Sequence, residues 1–314
     1  MPSAFYGTRS VPTTLKLTKL FLRGRRDRVS RLGETRPATH RTVVSVNSQS
    51  KSTAVLHIRL GIQLNSLHLP FRQALAKASE LGATAVEIDA RGELKPRELS
   101  QTGLRQLRKL LDEYGLRVCA VGFRTRHGYN VTDHADQRVE ATQEALAFAY
   151  KLGAPVVINH VGRIPAQPQG PEWELLLTTL EDLGRFGQRT GAMLAARTGA
   201  ESGEDLARLI NALPEGTLGV DFDPGALIIN GFSAGDALLT LGRHVVHVHA
   251  RDGVRDAAQG RGVETPLGEG AANFPQLLGL LEEQAYRGYF TIECEQARDP
   301  MFEISQAVKY LRDF

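Results

Sequence analysis

Residues 85–121 read AVEIDARGELKPRELSQTGLRQLRKLLDEYGLRVCAV. A short β-rich apolar run, Ala85–Ile88, leads to an amphipathic stretch, Gln101–Tyr114, and then to a second apolar run, Leu116–Val121. Gly115 stands where a helix is expected to stop, just past its last turn. Strand, helix and strand in that order form the unit of a parallel sheet, because neighbouring parallel strands need a crossover between them.

The same alternation extends in both directions. Upstream, Leu56–Ile62 and the helix Phe71–Leu81, closed by Gly82, make the first unit. Downstream, apolar runs recur at Pro155–Asn159, Met193–Ala196, Leu218–Phe222, Val245–Val248 and Tyr289–Ile292. Helical stretches follow the strands at Asp136–Leu152, Glu172–Gln188, Glu204–Ala212, Ala234–Leu241, Phe274–Gln284 and Met301–Leu311. Eight such units fit a (β/α)8 barrel, typically about 250 residues long. A doubly wound open sheet would want a Gly-rich phosphate loop after its first strand, and Gly61-Ile62-Gln63-Leu64-Asn65 supplies none. The fold class is therefore α/β: a single-domain TIM barrel over residues 55–314, preceded by an extension over residues 1–54.

The extension holds 11 Lys and Arg against only Asp27 and Glu34, and it lacks sustained periodicity. It is read as disordered. Residues 55–314 then hold 27 basic and 33 acidic groups, so the net charge of +3 belongs to the extension and the body is mildly acidic. Such a body is a poor partner for nucleic acid, whose binders neutralise phosphate. No run approaches the ~20 apolar residues that span a bilayer. Two cysteines, Cys119 and Cys294, each within an apolar run, make no disulfide framework and read as reduced thiols of a cytoplasmic protein.

Barrel chemistry sits at the C-terminal ends of the strands. The polar residues there include Gln63, Glu87, Asp89, Arg124, His160, Arg197, Asp221, Asp223, His247, His249, Glu293 and Glu295. Asp223, His249 and Glu293 end consecutive strands, so barrel closure turns them into one cup. Two carboxylates and an imidazole suit Mn²⁺, Mg²⁺, Co²⁺ or Zn²⁺. His247 lies one layer deeper than His249 on strand periodicity and reads as a hydrogen-bonded core residue. Cys119, within the third strand, has no signature of a catalytic thiol.

Over about residues 56–312 the chain resembles the xylose isomerase-like barrels, among them sugar-phosphate isomerases, sugar 3-epimerases, inosose dehydratases and endonuclease IV. The resemblance rests on Glu87 after Ala85-Val86, on Leu218-Gly219-Val220-Asp221-Phe222-Asp223-Pro224-Gly225, and on His247-Val248-His249-Ala250-Arg251-Asp252-Gly253. Leu267-Gly268-Glu269-Gly270 and Gly288-Tyr289-Phe290-Thr291-Ile292-Glu293 complete it. It implies a divalent metal held by Asp223, His249 and Glu293 together with a Glu on the fifth strand. It also implies substrate contacts from Arg255, and a loop at 268–270 that closes over the mouth. Glu87 and His160 are read as further substrate-binding groups.

The fifth strand departs from the family pattern. Leu194-Ala195-Ala196-Arg197-Thr198-Gly199 carries an arginine where the family carries its metal-binding Glu. Asp223 and Glu293 with Arg197 have the same formal charge of −1 as three carboxylates with a divalent ion. Arg197 is therefore expected to stand where the metal would, forked between Asp223 and Glu293. A three-ligand metal site with Arg197 turned elsewhere is the alternative.

The function implied is a sugar or sugar-phosphate isomerase or epimerase that moves a proton alpha to a carbonyl, with Glu293 as base and Arg197 stabilising the enediolate. Loss of the second carboxylate leaves Glu201 or Glu295 as possible replacements. The alternative is a non-catalytic relative that binds a sugar in the same cup. The expected partner is a small sugar or sugar phosphate, with no membrane, and a homo-oligomer is left open. Endonuclease chemistry is disfavoured because Ala226 and the strand-two end lack its histidines.

Overall fold

The computed structural model describes residues 58–92, 94–256, 260 and 262–314. The expected extension, with the start of the first predicted strand at Leu56, lies outside them. Eight parallel strands close into a barrel. In chain order they are β1 (Arg59–Gln63), β2 (Ala85–Asp89), β3 (Arg117–Gly122), β4 (Val156–Asn159), β5 (Met193–Arg197), β6 (Gly219–Phe222), β7 (Val245–Ala250) and β10 (Tyr289–Ile292). Closure runs through the β1–β10 pair, with Leu60 opposite Phe290 and Ile62 opposite Ile292.

The helices are α1 (Phe71–Glu80), α2 (Gln101–Glu113), α3 (Ala135–Leu152), α4 (Pro171–Thr190), α5 (Gly203–Ala212), α6 (Pro224–Ile229), α7 (Ala234–Leu241), α8 (Phe274–Glu283) and α9 (Pro300–Arg312). Side-chain N-caps start several of them: Ser100 accepts from Gly103 N–H, Ser202 from Asp205 N–H, and Asn273 from Gln276 N–H. Gly153 and Gly191 end α3 and α4 in left-handed conformations that favour glycine. None of the helices among the described residues is long and apolar enough to cross a membrane.

Two elements depart from the periodicity reading. The six-residue α6 follows directly on Asp223, whose Oδ1 accepts the Ala226 N–H at 2.7 Å. A small antiparallel hairpin, β8 (Asp252–Val254) with β9 (Val263–Thr265), rises after β7. Both are too short to leave a periodic signature.

The main core lies between strands and helices, where Val86, Val121, Leu194, Val220, Val248 and Phe290 meet the helices' apolar faces. The barrel interior is divided. A separate apolar group of Ala120, Val156, Ile158 and Ala195 fills it under β3 to β5. The opposite half carries Asp221, His247, His249, Thr291, Glu87 and Glu293, all buried. Gly61 leaves room for this half: a Cβ there would stand 2.8 Å from Thr291 Oγ1 and 3.1 Å from Cys119 Sγ.

Candidate active site

The lower layer of the polar half is a hydrogen-bonded chain. His247 Nδ1 meets Asp221 Oδ1 at 2.8 Å, and its Nε2 meets Thr291 Oγ1 at 2.8 Å. His247 is thus buried and fully bonded, in the deeper layer that strand periodicity gives it. Cys119 Sγ reaches the same Thr291 hydroxyl at 3.4 Å, and burial pushes this thiol up to about 12, out of the nucleophile range.

One layer higher, His249 lies between two carboxylates. Its Nδ1 meets Asp221 Oδ2 at 2.8 Å and its Nε2 meets Glu87 Oε2 at 2.7 Å. Burial opposes the imidazolium, but Asp221 and Glu87 outweigh it and hold His249 well above its ordinary value. Burial likewise opposes ionisation of Asp221, yet His249 and His247 keep its carboxyl below the usual range.

Arg197 ends β5 in the top layer and is 5% exposed. Its Nε and Nη2 donate to Asp223 Oδ2 at 3.1 and 2.5 Å. Its Nη1 donates to Glu293 Oε1 at 3.2 Å, and its Nη2 also donates to Glu293 Oε2. Strand periodicity explains the aim, since Ala195 belongs to the interior group and Arg197 follows two residues later. Four of the five guanidinium hydrogens are committed, leaving one on Nη1. Burial works against this charge, and Glu293 and Asp223 raise its pKa well above the ordinary value.

The two carboxylates are correspondingly full. Glu293 Oε1 also accepts from Gln63 Nε2 and Arg124 Nη2, each at 2.9 Å. Asp223 Oδ1 caps α6, and its Oδ2 also faces Arg251 Nη1 at 3.5 Å. Burial raises the cost of charge on Glu293, but Arg197, His249 and Arg251 hold it well below the usual carboxylate range. A carboxylate that already accepts four hydrogen bonds is a weak proton acceptor.

This geometry bears on the implied metal. At the Asp223–His249–Glu293 position the ligand atoms are bound to a guanidinium or to carboxylates, so the residues as placed do not fit a divalent ion there. Ligand spacing is found elsewhere. Glu87, His247 and His249 present one ligand atom each within 4.8 Å of one another. Asp221 holds the Nδ1 of both histidines, the orientation that a carboxylate gives to metal-binding imidazoles. This set could hold a metal once His249 gives up its proton to free the bond to Glu87 and His247 Nε2 leaves Thr291. Sequence reading did not gather it, because it combines the deeper histidine with a carboxylate from β2.

Two cavities open on the mouth. One, of about 400 Å³, is lined by Gln63, Glu87, Asp89, Arg91, Arg124 and Glu295, among others. The second, of about 350 Å³, is lined by Arg124, His160, Arg197, Asn230, Arg251 and Glu295, among others. Arg124 and Glu295, paired at 2.6 Å, line both and divide them. Glu87 and His160 therefore face different cavities. Arg255 lines neither; it is exposed, with its guanidinium against Gly231. The turn at 268–270 is tied down by Asp252, which accepts from the N–H groups of Gly268 and Gly270 at 3.1 and 3.0 Å.

The family model for the xylose isomerase-like TIM barrel matches residues 75–314. The chain is 30% identical over 259 residues to the rhizopine catabolism protein MocC of Rhizobium meliloti, covering 72% of this chain and 75% of that protein. It is 25% identical over 281 residues to an inosose dehydratase of Geobacillus thermodenitrificans, covering 78% and 90%. Among solved structures, a xylose isomerase domain protein from Planctomyces limnophilus superposes with a TM-score of 0.73 at 22% identity, covering 82% of this chain and 97% of that one.

Proposed function

The chain belongs to the xylose isomerase-like TIM barrel family, and from that premise we propose that it enolises a small polyhydroxylated ketone, the step by which sugar isomerases and epimerases begin. Loss of water from a hydroxyketone begins with the same proton transfer, in keeping with the relative named inosose dehydratase. A cavity of about 350 Å³ lined by charged and amide side chains suits a hexose-sized polyol or its phosphate.

The observation that carries the reading is Arg197, set between Asp223 and Glu293 at the base of that cavity. Proton loss alpha to a carbonyl builds negative charge on the carbonyl oxygen. A fixed cation with one uncommitted N–H stabilises that charge without reorganising, as a metal ion would in a metal-dependent relative. The ion pairs with Asp223 and Glu293 hold the guanidinium in place before substrate arrives.

The same crowding favours a second reading, a sugar-binding relative without catalysis, because Asp223 and Glu293 each already accept four hydrogen bonds. Incubation with scyllo-inosose, D-tagatose and D-fructose in deuterium oxide separates the two. Deuterium entering the position alpha to the carbonyl, seen by NMR and undiminished by EDTA, is the expected result. Thermal stabilisation by one of these compounds with no exchange would instead support the binding reading.

A further inference from the structure

Proton abstraction needs an acceptor, and the carboxylates beneath the Arg197 cavity are committed. Among the described residues lining that cavity, two side chains can take a proton, Glu295 and His160. Glu295 is clamped, with Oε1 on Arg124 at 2.6 Å and Oε2 on Arg251 at 3.0 Å. Glu87 lines the other cavity and is bound by His249 and Gln63.

His160 differs. It follows β4 directly, where Val156 and Ile158 point into the barrel, so the two-residue period carries it onto the interior side at the mouth. Neither ring nitrogen bonds to a described residue. Histidine in such a half-buried place ordinarily finds a partner.

We infer that His160 is the general base of the enolisation proposed above, a reading on which this inference rests. An imidazole nitrogen accepts the proton alpha to the ketone. The C–H pair becomes the new C=C bond, and the carbonyl π pair moves to oxygen, which takes up the remaining Arg197 N–H. The imidazolium then returns the proton, on the face it came from, to the same or the neighbouring carbon, or to a departing hydroxyl that leaves as water. No oxidant or reductant enters.

The surroundings keep the base unprotonated. Burial over the apolar half of the interior, then Arg197 and Arg124, push His160 down to about 4 against the opposing pull of Asp221 and Asp223. A base so placed needs a nearby cation to make the ketone acidic, and Arg197 supplies it.

The test follows deuterium exchange into scyllo-inosose, D-tagatose and D-fructose by wild type and His160→Ala, with melting temperature as the control for folding. General base removal is worth 10²- to 10⁴-fold, so His160→Ala should lose about that factor in exchange rate at an unchanged melting temperature. Added imidazole should restore part of the loss, a response that a merely structural histidine would not give. The wild-type rate should stay flat from pH 8 down to about 5. Full exchange by His160→Ala overturns the assignment and leaves enolisation standing. No exchange into any of the three by wild type overturns enolisation itself, and this inference with it.

Discussion

At the scale of single residues, Arg197 sets the charge balance of the cup, paired with both Asp223 and Glu293. Two buried carboxylates with nothing between them would repel by several kcal/mol at an effective dielectric near 20, and the guanidinium removes that cost. Arg197→Glu reverses the arrangement by placing a third carboxylate beside Asp223 and Glu293. The variant is expected to bind Mn²⁺ stoichiometrically by calorimetry at that position. Without metal it should lose about 3–5 kcal/mol in urea unfolding, as when one member of a buried ion pair is removed. Equal metal uptake by wild type at this position would contradict the exchange of ion for guanidinium. Replacing the group together, Arg197→Leu with Asp223→Asn and Glu293→Gln, should recover most of the stability, because no charge is then stranded. Much of this was legible beforehand, since an arginine in a carboxylate's place with an unchanged formal charge points to a fork. The role of Glu87 was legible only in part. That it holds His249 depends on how β2 and β7 face each other across the barrel, which strand order alone does not give.

Between residues and fold stand the short elements at the mouth. Asp252, buried at the start of β8, accepts from the N–H groups of Gly253, Gly268, Gly270 and Ala272 at 2.8–3.1 Å. Hydrogen bonds to a charged group are worth about 1.5–3 kcal/mol each when isolated, and four on one carboxylate share their effect. Asp252→Ala is expected to cost about 3 kcal/mol and to speed amide exchange in residues 263–272, with exchange in the barrel strands unchanged. Gly270→Ala should act similarly, because a Cβ there collides with Asp252 Oδ1. Unaltered exchange in this segment would mean that something other than Asp252 holds it. The long helices and the eight barrel strands could be read from periodicity because each buries a repeating face. α6 and the β8–β9 hairpin could not, since each is stabilised by one buried aspartate and by close contact: a Gly225 Cβ would stand 2.9 Å from the Arg251 and Asp252 backbone.

For the molecule as a whole, the divided interior sets the response to pH. Asp221 and Glu293 are held below the usual carboxylate range, so the native state binds fewer protons than the unfolded chain as acid is added. Their contribution is complete above that range and is lost as pH falls through it. His249 is raised, so its contribution is complete below about 6.5 and is lost only as pH climbs through its much higher native value. Between these limits Glu201 acts in the opposite sense to the carboxylates. Burial pushes it up to about 7, against the N–H of Ile164 that its Oε1 accepts at 3.4 Å. A raised carboxyl favours the native state in acid, and that advantage fades as pH rises from about 4.5 to 7. Allowing for its partial exposure, the effect is on the order of 1–2 kcal/mol. Urea unfolding of wild type and Glu201→Gln at half-unit steps from pH 4.5 to 8 isolates it. Wild type should weaken relative to the variant across that window and run parallel to it above pH 7.5. A difference of the opposite sign would mean that Glu201 is ionised in the native state, held by Arg163 rather than pushed up by burial.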